Sequence, residues 1–285
     1  MDVVRLSETE WRAREAAHVA RVHDVTAAHL DRRVRGEKHP VLDFLFDYYG
    51  HTPARLRRWH PGPGVVLEGA ARDPRARWRY MQVDGDAVKL DVDAFVEGRG
   101  KALAFVRALL ERTLERPVHT GCFGLHEWAM VYRGDRRHES WPLRLGRSGT
   151  DAVLEAGTLR CTHYDATRFF TPAAAARNTV APTRQGMVDF EQPGCLHANM
   201  DLYRWAFKLA PGMPSDLIAD AFELACEVRE LDMRASPYDL RALGYEPVPI
   251  ETAEGRRAYA EAQRGFAERG NALRREMLAA LDAIA

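Results

Sequence analysis

The sequence LHANMDLYRWAFKL, residues 196–209, followed by SDLIADAFELACEVRELDM, residues 215–233, decides the fold. In both stretches apolar residues return at the three- and four-residue spacing of an amphipathic helix. A third helical pattern covers residues 252–284, and Ser236-Pro237 ends the second helix because proline lacks a backbone donor. The last third of the chain is therefore predicted to form three long helices.

The rest of the chain predicts shorter helices and a small sheet. Ser7 and Glu10 have the spacing of a capping box, which predicts a helix to about Arg33. Further helices are predicted at 41–49, 53–59, 93–115, 125–132 and 166–170. Extended segments at 65–67, 77–83 and 87–90, with the turn dipeptide Asp84-Gly85, predict antiparallel strands, and 158–162 predicts another strand. We expect a mainly α (α+β) protein, one globular domain over 1–285, with a small antiparallel sheet inserted near residues 65–91.

Composition limits the classes of function. The chain carries 41 basic and 41 acidic side chains, so no overall field attracts it to a polyanion or an anionic membrane. No apolar run approaches the roughly 20 residues that span a bilayer, and the N-terminus has no signal-peptide core. The four cysteines are more than thirty residues apart, which is typical of reduced thiols. We expect a cytoplasmic protein with no membrane partner.

Three cysteines each have a histidine within four residues, and this recurrence is the strongest signal for a site. The candidate metal ligands are Cys122, His126, Cys161, His163, Cys195 and His197. If these pairs converge, they could bind zinc or iron, which take thiolate, imidazole and carboxylate ligands. The alternative is that the thiols and imidazoles are ordinary core residues. His126-Glu127 begins like a zincin motif, but Met130 stands where the second histidine belongs.

Carboxylates beside aromatic residues form a second set of candidates. A carboxylate in apolar surroundings has a raised pKa or needs a cationic partner, which suits a general acid or base. The candidate catalytic residues are Glu127, Asp201, Asp165, His126 and His197. Each carboxylate taken alone could equally be a helix cap or half of a buried ion pair. Glu230, Asp232, Arg234 and Asp239 are typical of a structural ion-pair network at a helix end.

Arginine is locally dense in two stretches that also contain aromatic residues. Residues 52–80 hold seven arginines against Glu68 and Asp73, and residues 133–147 hold five against Asp135 and Glu139. Arginine interleaved with aromatic side chains is typical of a nucleic-acid groove or a pocket that stacks a base. The alternative interpretation is a solvated, arginine-rich surface.

Five long motifs resemble one protein family. They are HPVLDFLFDYY (39–49), RRWHPG (57–62), GCFGLHEWAM (121–130), QPGCLHANMDLY (192–203) and LDMRASPYD (231–239). Together they resemble an actinobacterial family labelled 3-methyladenine DNA glycosylase, and the resemblance extends over nearly the whole chain. It implies a DNA repair hydrolase for base excision of alkylation damage. Such an enzyme holds the alkylated base in an aromatic pocket and hydrolyses its N-glycosidic bond without a cofactor.

The residues that could hold such a substrate lie within or near these motifs and comprise aromatic, basic and amide side chains and one carboxylate. They are Asp43, Tyr48, Tyr49, Arg58, Trp59, His60, Trp128, Arg168, Asn199, Tyr203, Arg234 and Tyr238. Two other functions stay open: a zinc- or iron-dependent oxygenase or hydrolase with a small-molecule substrate, and a scaffold or sensor without catalysis. The glycosylase requires arginines around an aromatic cleft, the metalloenzyme requires the Cys/His pairs to meet, and the scaffold requires neither.

Overall fold

The capping box at Ser7 begins the first long helix, α1 (Glu8–Arg35), as the sequence predicts: the Ser7 and Glu10 side chains each accept the other residue's backbone N–H. The computed structural model describes residues 3–135, 138 and 140–284. Across them the protein is mainly helical. The remaining α-helices are α2 (Phe44–Tyr49), α3 (Pro53–Leu56), α4 (Val92–Glu115), α5 (Leu125–Ala129), α6 (Gly146–Ala156), α7 (Tyr164–Thr167), α8 (Pro172–Ala175), α9 (Met187–Phe190), α10 (Leu196–Lys208), α11 (Ser215–Arg234) and α12 (Ala253–Asp282).

The predicted C-terminal helices form the centre of the molecule. Helix α10 packs against α11 and α12, and α12 also packs against α4. Most of α10 is buried around its circumference, because other elements cover it on several sides. This burial brings the polar side chains of α10 inside the protein, where each needs a partner.

The small sheet predicted near residues 65–91 is confirmed, with antiparallel pairing among the strands of that range, and an additional N-terminal strand makes the sheet mixed. Its strands are β1 (Val4–Leu6), β2 (Val65–Leu67), β3 (Met81–Asp84) and β4 (Ala87–Leu90), in the order β1-β2-β4-β3. Strands β3 and β4 pair antiparallel around Asp84-Gly85 as predicted. The N-terminal strand β1, which was not predicted, pairs with β2 in parallel. Leu6, Trp11, Trp59, Leu67, Ala70 and Val88 form a separate apolar cluster beside this sheet.

The middle of the chain departs most from prediction. Helix α6 was not predicted, and residues 158–162 do not form the predicted strand. Asn178 explains part of this, because its side chain accepts the Cys161 N–H and donates to the Cys161 carbonyl. These are the backbone groups that a neighbouring strand would otherwise bind.

Two further predictions concern the environment of the protein. None of the helices in the described ranges is both long and apolar enough to cross a bilayer. All four cysteines are free thiols, as the wide spacing predicts.

Candidate functional site

A cavity of about 350 Å³ lies where α2, α5, α7, α10 and α11 meet. Its wall is largely apolar and aromatic, and four of its polar side chains are Glu127, Asp165, His197 and Arg229. The remaining lining residues are Phe44, Asp47, Tyr48, Met130, His138, Ala166 and Phe169. An apolar pocket with a few convergent polar groups is the usual form of a small-molecule or base-binding site. We refer to it as the aromatic cavity.

Short helices position the wall of the aromatic cavity. Phe44 and Tyr48 are one turn apart on α2, and their rings stack with centroids 5.1 Å apart. Glu127 follows Gly124, whose backbone φ of 73° lies in the left-handed region that glycine adopts without strain. Asp165 lies in the first turn of α7, which His163 caps by accepting the Ala166 N–H at Nδ1. Local caps and turns therefore fix the direction of both carboxylates.

Arg229 connects two acidic residues at the cavity. Its Nη1 donates to Glu127 Oε1 at 2.9 Å and to Asp232 Oδ2 at 3.1 Å, and its guanidinium lies 4.0 Å from the centre of the Phe44 ring. All three ion-paired side chains are buried. Burial raises the pKa of Glu127, and the nearby Arg229 charge only partly opposes this. Glu127 therefore has the placement and the protonation behaviour of a general acid or base.

His126, His197 and Asp232 converge behind the cavity. Each offers one nitrogen or oxygen atom, and these three atoms all lie within 4.8 Å of one another. His126 Nε2 lies 2.6 Å from Asp232 Oδ1, and the His126 and His197 rings meet edge to face with centroids 4.4 Å apart. Burial disfavours the charged form of His126, but Asp232 outweighs it and raises the pKa. For His197, burial and the neighbouring His126 lower the pKa well below its usual value. His197 is therefore the neutral member of the group.

A second cluster of buried ionisable side chains lies next to the group formed by His126, His197 and Asp232. The His163 ring is nearly parallel to His197, with centroids 5.2 Å apart, and its Nε2 lies 3.4 Å from Asp201 Oδ2 and 3.6 Å from Glu191 Oε1. Because Nδ1 accepts a backbone N–H, the neutral ring carries its proton on Nε2. Tyr49 donates its hydroxyl to Asp201. Burial raises the pKa of Glu191 to about 7.

A groove lined by basic residues adjoins the aromatic cavity. It consists of two depressions of about 480 and 200 Å³ that share Arg55, Arg99, Phe207 and Ala210. Tyr48 and Asp165 line both the larger depression and the aromatic cavity, so the two spaces are neighbours. The other groove residues are Tyr49, His51, Arg58, His60, Trp78, Arg79, Tyr80, Arg168, Arg204, Lys208 and Pro211. We refer to it as the basic groove.

Several cations of the basic groove have no acidic partner. Within the ranges that the structure describes, Arg55, Arg58, Arg79, Arg99 and Lys208 form no ion pair. Arg204 instead binds Asp165 and Asp201, and Arg168 binds Asp165. Aromatic rings lie among these charges, including His51, which stacks on Phe207 with centroids 3.8 Å apart. The groove therefore combines positive charge with flat apolar surfaces.

The structure brings together part of the predicted site. Glu127, Asp165, His197 and Tyr48 line the aromatic cavity, while Tyr48, Tyr49, Arg58, His60, Asp165 and Arg168 line the basic groove. His126 and Asp201 lie behind these walls in the two buried clusters. Asp43, Trp59, Trp128, Asn199, Tyr203, Arg234 and Tyr238 line neither space.

Most of these seven have partners that explain their positions. Asp43 binds His29 and Arg32, Trp128 donates to the Ala235 carbonyl, and Asn199 is held by Arg274. Trp59 lies in the apolar cluster beside the sheet, and Tyr203 packs on Phe222. Arg234 binds Glu230 and the Glu246 carbonyl, and the Tyr238 hydroxyl accepts the His138 N–H.

Of the six predicted metal ligands, the structure groups only His126 and His197, and it adds Asp232. In the part of the chain that the structure describes, no cysteine belongs to a group of three or more potential ligands. The Cys122 sulfur accepts the Gln263 amide, and the Cys161 thiol lies 3.8 Å from the His163 carbonyl. Burial raises the pKa of Cys161 to about 12, so its thiol stays protonated.

Two sequence interpretations need correction. Asp232 is in an ion-pair network near the end of α11, but its partners are His126 and Arg229 rather than Arg234, which binds Glu230. Of the arginines of 133–147, the described Arg133, Arg144 and Arg147 line neither the cavity nor the groove and bind Glu155, Glu251 and Asp135, while Arg136 and Arg137 lie outside the described residues. Of the two arginine-rich stretches, residues 52–80 contribute Arg55, Arg58 and Arg79 to the basic groove.

Sequence reasoning missed other residues of the site, among them Phe44, Arg99, Arg204, Phe207, Lys208 and Arg229. The i,i+3 spacing of Arg229 and Asp232 was visible, but its significance depends on the contact between α5 and α11.

Comparison with known proteins adds nothing to this geometry: no family model, no curated protein and no solved structure matches the chain.

Proposed function

We propose that this protein hydrolyses the N-glycosidic bond of an alkylated purine in DNA, as the resemblance of its motifs implies. The observation that carries the proposal is the junction at Tyr48 and Asp165, where an aromatic cavity opens beside a basic groove. An enzyme that extrudes a base needs a pocket that stacks the base and a cationic path for the phosphate backbone. The two spaces supply these features in the required order.

The aromatic cavity suits a damaged purine. Its volume of about 350 Å³ accommodates a bicyclic base, and the aromatic side chains of Phe44, Tyr48 and Phe169 line it. An alkylated purine carries positive charge, which aromatic faces attract. Glu127 is the carboxylate of the cavity that Arg229 holds in place, so it is suited to accept a hydrogen bond from a polar edge of the base.

Asp165 is suited to the chemical step. Because it belongs to both the cavity and the groove, it lies where the sugar would be when the base is in the cavity and the phosphates are in the groove. A carboxylate at that position can activate the attacking water or stabilise the oxocarbenium-like sugar. Arg204 Nη1 donates to Asp165 Oδ2 at 2.6 Å and fixes its direction.

The basic groove would hold the backbone of the DNA. Arg55, Arg99 and Lys208 are free of ion pairs among the described residues, so they can bind phosphates without first losing a partner. Phosphate contacts of this kind give an affinity that falls steeply with salt. We therefore expect Arg55→Gln and Arg99→Gln to weaken DNA binding and to reduce its dependence on salt.

Release of free base from methylated duplex DNA, measured by chromatography, tests the proposal. We expect wild-type protein to release methylated purine, and Asp165→Asn to lower the rate at least ~100-fold with the fold intact. Asp43→Asn is the matched control, because Asp43 is a buried, ion-paired aspartate outside both spaces. No release by the wild type, or equal release by Asp165→Asn and wild type, would refute the proposal. Release from free methylated nucleotide but not from DNA would instead assign a small-molecule substrate.

A further inference from the structure

The proposed glycosylase reaction assigns no role to one buried group, which consists of His126, His197 and Asp232. These residues come from α5, α10 and α11, and their donor atoms converge within 4.8 Å. All three side chains are buried, so solvent does not compensate for their polarity. We propose that they bind one divalent transition metal ion beside the aromatic cavity. This goes beyond the glycosylase proposal and does not depend on the identity of the substrate.

His197 provides the independent observation. Its Nδ1 is buried and has no hydrogen-bond partner among the residues that the structure describes, and the residue as a whole is only 9% exposed to solvent. An unpaired buried nitrogen is unfavourable, because it has lost its water without gaining a hydrogen-bond partner. The cost disappears if the nitrogen binds a metal ion. His197 also lines the cavity, so the group is next to a space that admits a ligand.

The spacing fits a metal after a small adjustment. Nitrogen and oxygen ligands lie about 2.0–2.2 Å from a divalent metal, which places them about 3 Å from one another. His126 Nε2 and Asp232 Oδ1 are 2.6 Å apart and share a hydrogen bond, so metal binding would replace that proton and release it to solvent. The three donor atoms lie within 4.8 Å of one another, so shifts of less than about 2 Å separate them from that spacing. Arg229 already holds the other Asp232 oxygen, which directs Oδ1 toward His126.

The neighbouring cluster does not offer the same chemistry. His163 uses Nδ1 to cap α7, and among the described residues its Nε2 belongs to no group of three or more potential ligand atoms within 4.8 Å of one another. Another buried pair, His29 with Asp43 at 2.8 Å, resembles His126 with Asp232 but has Arg32 as its third member. Arg32 donates to Asp43 Oδ1, the same oxygen that faces His29, and completes that pair as a structural ion network. At Asp232 the arginine, Arg229, binds the other oxygen, Oδ2, and the neighbour of the His126 ring is a second imidazole, His197.

The donor set selects the class of metal. Two imidazoles and one carboxylate suit zinc and ferrous iron, and they leave coordination positions open for water or substrate. Calcium and magnesium prefer oxygen ligands, so they fit this group poorly. The chemical class we assign is therefore a borderline divalent ion of the first transition row.

The test uses the full-length protein, stripped with a chelator and titrated with Co²⁺ or Zn²⁺. We expect one Co²⁺ per chain with visible d–d absorption, and a Zn²⁺-dependent rise in melting temperature. His197→Ala and Asp232→Asn should each weaken Co²⁺ binding at least about tenfold. His29→Gln is the matched control because it removes a histidine from a buried His–Asp pair elsewhere, and it should bind Co²⁺ like the wild type.

Three outcomes would overturn the proposal. They are absence of Co²⁺ and Zn²⁺ binding by the wild type, equal binding by the wild type and both ligand variants, and a thiolate-to-metal charge-transfer band that assigns cysteine as the ligand. If the variants fail to fold, X-ray absorption of the Zn²⁺-loaded wild type decides, because a shell of two imidazoles and oxygen differs from one with sulfur. Metal occupancy is read without any substrate, so failure of base release leaves this result intact.

Discussion

Replacing Arg229 by methionine tests the electrostatic design of the site most directly. The substitution keeps much of the side-chain length but removes the charge that Glu127 and Asp232 share at 2.9 and 3.1 Å. Both carboxylates are at most 5% exposed, so water cannot replace the guanidinium. The folded state then holds two acidic groups near a single positive partner, His126.

The expected cost follows from burial. Removing one member of a buried ion pair costs about 3–5 kcal/mol in the free energy of unfolding. At roughly 2 °C per kcal/mol for a chain of this size, the melting temperature should fall by about 6–10 °C. The half-exposed pair of Arg269 with Glu227 is the control, and Arg269→Met should cost less than about 1 kcal/mol.

Urea unfolding monitored by circular dichroism measures both variants. The double variant Arg229→Met/Glu127→Gln should recover about 0.5–3 kcal/mol of the lost free energy of unfolding, because it removes one of the two carboxylates that no longer have the Arg229 charge beside them. A loss of less than 1 kcal/mol in Arg229→Met, or no recovery in the double variant, would refute the idea that Arg229 neutralises this cluster.

Two further predictions concern stability elsewhere. A Cβ at Gly194 would collide with the backbone carbonyl of His119, whereas a Cβ at Gly265 on α12 would have no neighbour within 4 Å. Gly194→Ala should therefore lower the free energy of unfolding by about 1–3 kcal/mol, and Gly265→Ala should raise it by about 0.5–1 kcal/mol. Equal effects of the two substitutions in urea titrations would contradict this. Burial lowers the pKa of His60 to about 3, so its neutral form contributes stability that is complete above pH 6.5 and is lost as the pH falls toward 3. Between pH 7 and 4 the loss is on the order of 3 kcal/mol, and His60→Asn should lose correspondingly less over that interval; an identical pH profile for both proteins would argue against it.

The helices were predictable because their signals are local. Ser7 and Glu10 cap α1 within four residues, and the apolar spacing of 215–233 identifies α11 without any distant contact. Strand β1 has no such signal: its three residues become a strand only by pairing with β2, some sixty residues later. The same holds for residues 158–162, where the Asn178 side chain replaces a strand partner.

The candidate site was predictable only in part, for the same reason. The concentration of reactive residues near Glu127, Asp165 and His197 identified segments that do line the cavity. Residue type alone could not separate Asp165 from Asp43, because both are aspartates close to aromatic residues in the sequence. The structure shows that Asp43 is bound by His29 and Arg32. Phe44 and Arg229 lie about 185 residues apart in sequence, yet they contact each other through a cation–π interaction that no local pattern predicts.

The way the site is assembled also determines how it is lost. Glu127 with Arg229, His126 with Asp232, and Tyr49 with Asp201 are each separated by more than one hundred residues along the chain. No contiguous fragment of one hundred residues therefore contains both members of any of these pairs. Partial unfolding that releases α2 or α5 therefore breaks at least one of these contacts while most of the helical signal remains, and ligand binding should disappear at the same urea midpoint as the helical signal only where the chain unfolds as one cooperative unit. Binding at this site is thus a readout of the cooperativity of the entire fold.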